Sequence, residues 1–235
     1  MFGYIFLQVS NAAGEGAEAL AESAQQDGIV TRFFDIAIKG GWIMIPIIAL
    51  SLVAVFIFFD RYFAIKKAGK VDKTLLDRVK AYITEGKVDA ALALTRSQET
   101  PTARMIEKGI SRIGRPMSDV NSAIETIGNL EISKLEKGLP VLASVAGGAP
   151  MIGFLGTVIG MIQAFYDMAN AGNNIDVTLL SSGIYQAMVT TVAGLTVGII
   201  AYFAYNILVA NVEKVIFKME AATSEFLDLL NEPAK

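Results

Sequence analysis

Residues 140–168 read PVLASVAGGAPMIGFLGTVIGMIQAFYDM, and no Asp, Glu, Lys or Arg occurs between Val141 and Tyr166. A second stretch without charge runs from Val177 to Val212. A helix of about 20 apolar residues crosses the hydrocarbon core of a bilayer, which is about 30 Å thick. We therefore predict transmembrane helices at 140–168 and 177–209, joined by a turn at 169–176. The second stretch exceeds the bilayer thickness, so its helix is predicted to continue into water over residues 210–235.

A third apolar segment, residues 41–60, has Trp42 at one end and Tyr62 just beyond the other. Aromatic residues at both ends suit the headgroup region, which predicts a further transmembrane helix. Residues 1–40 begin apolar and continue rich in Ala, Gly and acids. Because no Lys or Arg opens this arm, we expect an interfacial helix outside the membrane, with a cleaved signal peptide as the alternative.

Residues 61–139 are mixed in charge and carry apolar residues at helical spacing. Gly86, Pro101 and residues 114–116 separate the expected short helices, and Ser118 is the predicted N-cap of a longer helix toward the next span. This segment is too sparsely apolar for an independent enzyme core. The fold class is thus an all-α integral membrane protein with three transmembrane helices and long cytoplasmic helical extensions.

Composition excludes several function classes. The chain has no Cys and no His, so a disulfide, a thiolate or imidazole metal site, a cysteine nucleophile and a Ser-His-Asp triad are excluded. A net charge of −3 argues against a nucleic-acid partner, because such proteins need a basic surface. We therefore predict a protein that is not an enzyme and holds no cofactor, with membrane lipids around it.

The distribution of basic residues predicts the orientation. The loop after the first span holds Arg61 and four lysines within residues 66–73, whereas the N-terminal arm holds only Arg32 and Lys39 and the turn at 169–176 holds none. Basic loops stay in the cytoplasm. The N-terminus is thus predicted outside, and residues 61–139 and the C-terminus inside.

Small residues mark the second and third spans. In lipid, glycines at GxxxG spacing allow two helix backbones to approach closely. We expect five glycines to form the helix-packing face: Gly153, Gly156, Gly160, Gly194 and Gly198.

Polar residues accompany those glycines. At about 100° per residue, Thr157 shares a face with Gly153 and Gly160, and Thr191 shares one with Gly194 and Gly198. A lone hydroxyl in a span often only bonds back to its own helix, which is the alternative for each Thr. Gln186 and Gln163 carry amides that need partners in hydrocarbon. No ionisable residue lies deep in either span, so another polypeptide is expected to supply the carboxylate of an ion path.

Residues 149–161 (APMIGFLGTVIGM) and 183–195 (GIYQAMVTTVAGL) together resemble the signature of the MotA/TolQ/ExbB proton-channel family. Three spans and an N-terminal arm make the chain most similar to ExbB. The resemblance implies a bacterial inner-membrane protein with a periplasmic N-terminus, assembled as a homopentameric ring around two copies of a single-span ExbD-like partner in the central pore. That motor would couple the proton gradient to a TonB-like protein and so to outer-membrane transport.

The resemblance also assigns residues. Thr157 and Thr191 match the family's pore threonines, and Thr190 and Gln186 complete the expected pore lining. Gln186 stands where ExbB proteins often have Glu, and it cannot titrate. We expect H⁺ as the transported ion, with Na⁺ as the alternative because Thr190 adds an oxygen beside Thr191.

Three alternatives remain at the level of sequence. A TolQ- or MotA-like motor subunit would share the channel and differ in its effector. A non-conducting membrane scaffold would use the glycines for assembly alone. A secondary transporter is disfavoured, because three spans without an internal repeat do not match its usual construction.

Overall fold

The computed structural model describes residues 40–70, 73–170 and 177–231, and within them every regular element is an α-helix. The predicted arm before Gly40 and the turn after Asn170 lie outside the described residues. Seven helices follow in chain order over the described part: α1 Met44–Ala68, α2 Lys73–Thr84, α3 Val88–Arg96, α4 Pro101–Ile110, α5 Met117–Glu136, α6 Leu139–Asn170 and α7 Val177–Asn231.

Three helices are long and apolar enough to cross a membrane: α1, α6 and α7. Helices α6 and α7 include the predicted spans 140–168 and 177–209, and α1 includes the predicted span 41–60 except for its first three residues. Helix α1 continues past Asp60 to Ala68. Helix α7 runs unbroken to Asn231, so the third apolar stretch and the charged C-terminal residues form one helix.

Local sequence explains where several helices begin and end. Thr100 precedes α4 and accepts a hydrogen bond from the Ala103 amide at 3.3 Å, while Pro101 occupies the first turn, where its missing N–H costs little. Gly138 has φ +86° and separates α5 from α6, a conformation that residues with a Cβ rarely adopt. The prediction that Ser118 caps α5 is wrong, because the helix already begins at Met117 with Pro116 before it.

The chain divides into two compact units. Of the described residues, the first unit comprises 40–48, 150–170 and 177–196. It holds the start of α1 and the parts of α6 and α7 that carry the predicted pore residues.

The second unit comprises residues 49–149 and 197–235. Its short helices pack in sequence, α2 on α3, α3 on α4 and α4 on α5. Apolar side chains from these helices and from the C-terminal half of α7 form one core, in which Ile106, Ile110, Ile124, Leu208 and Phe226 are almost completely buried. Burial of such side chains stabilises by about 1.5–3 kcal/mol each, which compensates for the low apolar content of 61–139.

Ion pairs connect separate segments of the second unit. The Glu131 carboxylate is buried, with 3% of the side chain exposed, and accepts hydrogen bonds from Arg104 at 2.9 Å and Lys134 at 2.7 Å. At the surface, Lys67 of α1 donates to Glu99 at 2.8 Å, and this hydrogen bond lowers the pKa of the Glu99 carboxyl.

Candidate functional site

Helices α6 and α7 meet through small residues in the first unit. A Cβ placed on Gly153 would lie 2.8 Å from the Thr190 carbonyl oxygen and 3.1 Å from the Gly194 Cα. One on Gly160 would lie 3.0 Å from the Ala187 Cβ, and one on Gly183 would lie 2.6 Å from the Ala164 Cβ. The partners shift backward along α7 as α6 proceeds, which is antiparallel packing. The backbones approach so closely that side chains at these glycines would push the helices apart.

The close approach of α6 and α7 allows Thr191 to form a hydrogen bond between the two helices. Its hydroxyl donates to the Gly153 carbonyl oxygen at 3.0 Å, a bond between the two helices. The Thr191 side chain is only partly buried. Since a hydroxyl has one proton and two lone pairs, its oxygen keeps the capacity to accept while its proton is engaged.

Thr157 lies one helical turn beyond Gly153 on α6. Its hydroxyl donates to the Phe154 carbonyl oxygen at 2.6 Å, within the same helix. The side chain is partly exposed, so the free lone pairs of Oγ1 remain accessible. Thr157 and Thr191 therefore both present an oxygen that accepts hydrogen bonds.

Thr190 has a different environment. Its side chain is 0% exposed, and its hydroxyl donates to the Ala187 carbonyl oxygen at 2.8 Å. Gly156 makes room for it, since a Cβ on Gly156 would come within 2.3 Å of the Thr190 Oγ1. We predicted Thr190 as a pore-lining residue, but in the described chain its oxygen is enclosed between α6 and α7, because consecutive helical residues point about 100° apart.

Gln186 lies against the residues just before α1. A Cβ on Gly41 would lie 2.2 Å from the Gln186 Nε2, and Gly41 has φ +69°. Only glycine allows both this backbone conformation and the approach of the amide. Gln186 is half-buried in the first unit, and its amide lies against the turn that precedes α1.

Gln163 lies near the C-terminal end of α6. Gln163 Nε2 donates to Asp167 Oδ1 at 2.8 Å, one turn further along α6. Neither charge-free stretch contributes an acid or a base, so this part of the chain offers hydroxyl, amide and carbonyl groups only. Such a surface can accept hydrogen bonds and cannot exchange protons by itself.

Sequence reasoning missed the Gln186–Gly41 contact and the hydrogen bond from Thr191 to Gly153. A Gly-Gly pair before the first span was the available signal for the first, and the spacing of small residues was the signal for the second. The remaining faces of α6 and α7 expose large apolar side chains, among them Phe154, Val158, Phe165, Met188 and Ile199. Lipid or other chains must cover these faces.

The family model described as the MotA/TolQ/ExbB proton channel family matches residues 97–221, more than half of the chain. The chain belongs to this family. The matched range includes Thr157, Thr190 and Thr191, Gln186 and all five predicted packing glycines.

Individual relatives carry names from two branches of the family. A protein of Methanothermobacter thermautotrophicus named as a homolog of the biopolymer transport protein ExbB is 28% identical over 196 residues, 81% of this chain and 69% of the relative. The Tol-Pal system protein TolQ of Haemophilus influenzae is 27% identical over 219 residues, 86% of this chain and 95% of the relative. The biopolymer transport protein ExbB of Aquifex aeolicus is 35% identical over 92 residues, 39% of this chain and 62% of the relative. This protein is therefore an ExbB/TolQ-type membrane subunit of the family.

Proposed function

We propose that this chain is the ExbB-like channel subunit of an ion-driven motor in the bacterial inner membrane. The observation that carries the proposal is the combination, on α6 and α7, of accessible threonine oxygens with a complete absence of charged residues from Val141 to Tyr166 and from Val177 to Val212. A pore lining of this kind suits ion passage only if another chain contributes the titratable carboxylate. The protein itself then has no catalytic centre and needs no cofactor.

The uncovered apolar faces of α6 and α7 support the proposal that the protein assembles with other chains. Five copies forming a ring would enclose a pore, and two single-span ExbD-like chains would occupy it. The large apolar side chains on these helices suit contact with neighbouring copies and lipid, whereas Thr157 and Thr191 would face the partner. Thr190 would fill the space opposite Gly156 between α6 and α7, and it would stabilise the pore lining without facing the pore.

The chemistry of the path depends on the direction of the hydrogen bonds. The partner's membrane Asp is costly to ionise in a low-dielectric pore and takes up a proton there. Its protonated carboxyl is a donor, and the Thr157 and Thr191 oxygens are acceptors whose own protons are engaged with Phe154 and Gly153. The protonated carboxyl would thus be stabilised next to the threonines, and its proton would be released where water solvates the carboxylate. We favour H⁺ over Na⁺, because enclosure of Thr190 removes one oxygen that a cation would need.

The proposed orientation puts the N-terminus in the periplasm, and it puts the basic residues after Asp60, helices α2–α5 and the end of α7 in the cytoplasm. In this arrangement the periplasmic part of the partner would act on a TonB-like protein and so energise outer-membrane transport.

A second candidate function is the corresponding role in a Tol-Pal system. The Haemophilus influenzae TolQ match supports it, since it extends over 95% of that relative. The channel would be the same and the effector different. Copurification with a TonB-like protein would support the first candidate, and copurification with another component of a Tol-Pal system would support the second.

The first experiment is native mass determination of the complex in mild detergent, with this chain alone and with its candidate single-span partner. We expect five copies alone and five plus two together. Proton flux into liposomes should then appear only with the partner present. Flux through this chain alone would contradict the proposal.

Thr157→Val provides the residue-level test, with Thr196→Val as the matched control. Thr196 is an exposed threonine of α7 whose hydroxyl bonds back to Val192 at 2.8 Å. We expect Thr157→Val to lose flux at least tenfold with an unchanged native mass, which corresponds to about 1.4 kcal/mol. Thr196→Val should retain flux. Equal flux in both variants would contradict a role for the Thr157 hydroxyl in the ion path.

A further inference from the structure

An apolar groove runs between α1 and α7 within the second unit. It encloses about 450 Å³ and is lined almost entirely by carbon atoms, with Phe58, Phe59, Ile200, Phe203 and Ile207 as its largest walls. Ala54, Ala201 and Ala204 form its floor. The small side chains of the floor leave space between the larger ones, and a groove lined in this way suits a hydrocarbon chain.

A basic pocket follows between the same two helices. It encloses about 290 Å³ and brings together Lys66 of α1 with Lys214 and Lys218 of α7. Tyr62 and Asn211 also line it and add a hydroxyl and an amide. The groove extends along α1 from Ser51 to Phe59, and the pocket follows from Tyr62 to Gly69, the residue after the end of α1, so the two cavities adjoin along the chain.

The pocket lies where the apolar segments of both helices end and charged residues begin. Charge first appears after Phe59 in α1 and after Val212 in α7. This is the depth of lipid headgroups, and the long lysine side chains can reach back toward the membrane surface. The groove therefore lies at acyl-chain depth and the pocket at phosphate depth.

The three ammonium groups lack anionic partners among the described residues, since none of the ion pairs found there includes Lys66, Lys214 or Lys218. Lys218 donates to the Gly69 carbonyl oxygen at 3.1 Å, and Lys66 lies 5.8 Å from the centre of the Tyr62 ring. Both contacts hold the cations at the pocket without neutralising them. Three positive charges in one concave site favour an anionic ligand.

We propose that this combined site binds an anionic phospholipid, with one acyl chain in the groove and the headgroup phosphate between Lys66, Lys214 and Lys218. The apolar groove and the charge complementarity of the pocket specify both halves of one molecule. The proposal does not depend on the motor function, because it concerns a different pair of helices and needs no partner chain.

The test is native mass spectrometry of the full chain in mild detergent after delipidation. Phosphatidylglycerol, phosphatidylcholine and inorganic phosphate are added separately to the parent protein and to Lys66→Gln/Lys214→Gln. The matched control is Lys108→Gln/Lys137→Gln, which removes the same charge from positions that do not line the pocket. Helical content by circular dichroism verifies that each variant folds.

We expect the parent to bind phosphatidylglycerol in preference to phosphatidylcholine and to bind inorganic phosphate negligibly. Because a lysine near an anionic lipid contributes about fivefold in affinity, the Lys66→Gln/Lys214→Gln protein should bind phosphatidylglycerol roughly thirty-fold more weakly. The control should match the parent. Equal binding of phosphatidylglycerol by both lysine variants, equal binding of the two lipids by the parent, or binding of inorganic phosphate as tight as that of lipid would each overturn the proposal.

Discussion

Thr190 and Thr191 are adjacent in the chain, yet they lie in different surroundings. The Thr190 side chain is enclosed opposite Gly156, whereas Thr191 is partly exposed and donates across the interface to Gly153. The hydroxyls of Thr190 and Thr191 therefore have different structural roles. One fills a packing site, and the other both joins the helices and presents an acceptor oxygen.

Replacing Thr191 by Val should affect stability and flux together. Loss of the hydrogen bond to Gly153 is expected to cost about 1 kcal/mol, since a typical hydrogen bond contributes 0.5–1.5 kcal/mol. Thr191→Ser keeps the hydroxyl and should restore flux in liposomes containing the partner. The prediction is tested by flux and by melting temperature in detergent. If Thr191→Ser behaves like Thr191→Val, the methyl group rather than the oxygen is important.

Glu131 is a buried charged residue of α5. We expect Glu131→Gln to destabilise by about 1–3 kcal/mol, because two charge-assisted hydrogen bonds are weakened in a buried place. The loss stays below that of a fully buried pair, since 43% of the Arg104 side chain is exposed and can be rehydrated. Glu125→Gln, at an exposed position on the same helix, is the control and should leave the melting temperature unchanged. Equal melting shifts in the two variants would count against this role.

At the scale of elements, α6 contains glycines of two kinds. Gly153, Gly156 and Gly160 face α7 at close range, whereas a Cβ on Gly147 or Gly148 would meet nothing within 4 Å. The difference decides which glycines the packing requires.

Gly156→Ala and Gly147→Ala form a matched pair in one helix. The first places a methyl group 2.3 Å from the Thr190 Oγ1 and should destabilise by about 1–3 kcal/mol, the usual cost of overpacking. The second should be neutral or stabilise by up to about 1 kcal/mol, because Ala favours helix over Gly. Thermal unfolding of the two variants in the same detergent tests this contrast. A smaller loss for Gly156→Ala than for Gly147→Ala would contradict the observed packing.

At the scale of the whole molecule, three apolar helices and the basic segment after α1 predict how the protein lies in the membrane. The chain contains no cysteine, so a single introduced thiol reports its own location. Ser111 and Asn170 are both exposed, one after α4 and the other at the end of α6.

We expect Asn170→Cys to react with a membrane-impermeant maleimide in intact spheroplasts and Ser111→Cys to react only in inverted vesicles. The physical reason is the positive charge next to α1, which stays on the cytoplasmic side. Labelling in detergent serves as the control for accessibility of each thiol. The opposite labelling pattern would reverse the proposed orientation.

The sequence by itself determined the all-helical class and the three apolar segments, because hydrocarbon demands long runs without charge and such runs are visible residue by residue. It also determined that no acid or base lies deep in α6 and α7. Only the tertiary structure decided that Thr190 is enclosed while Thr191 bridges two helices, that Gln186 lies against Gly41, and that three distant lysines line one pocket. These depend on the rotation and register of packed helices, which arise from contacts between residues far apart in the chain. The wrong N-cap at Ser118 has a local cause, since Pro116 sets the start of α5 two residues earlier.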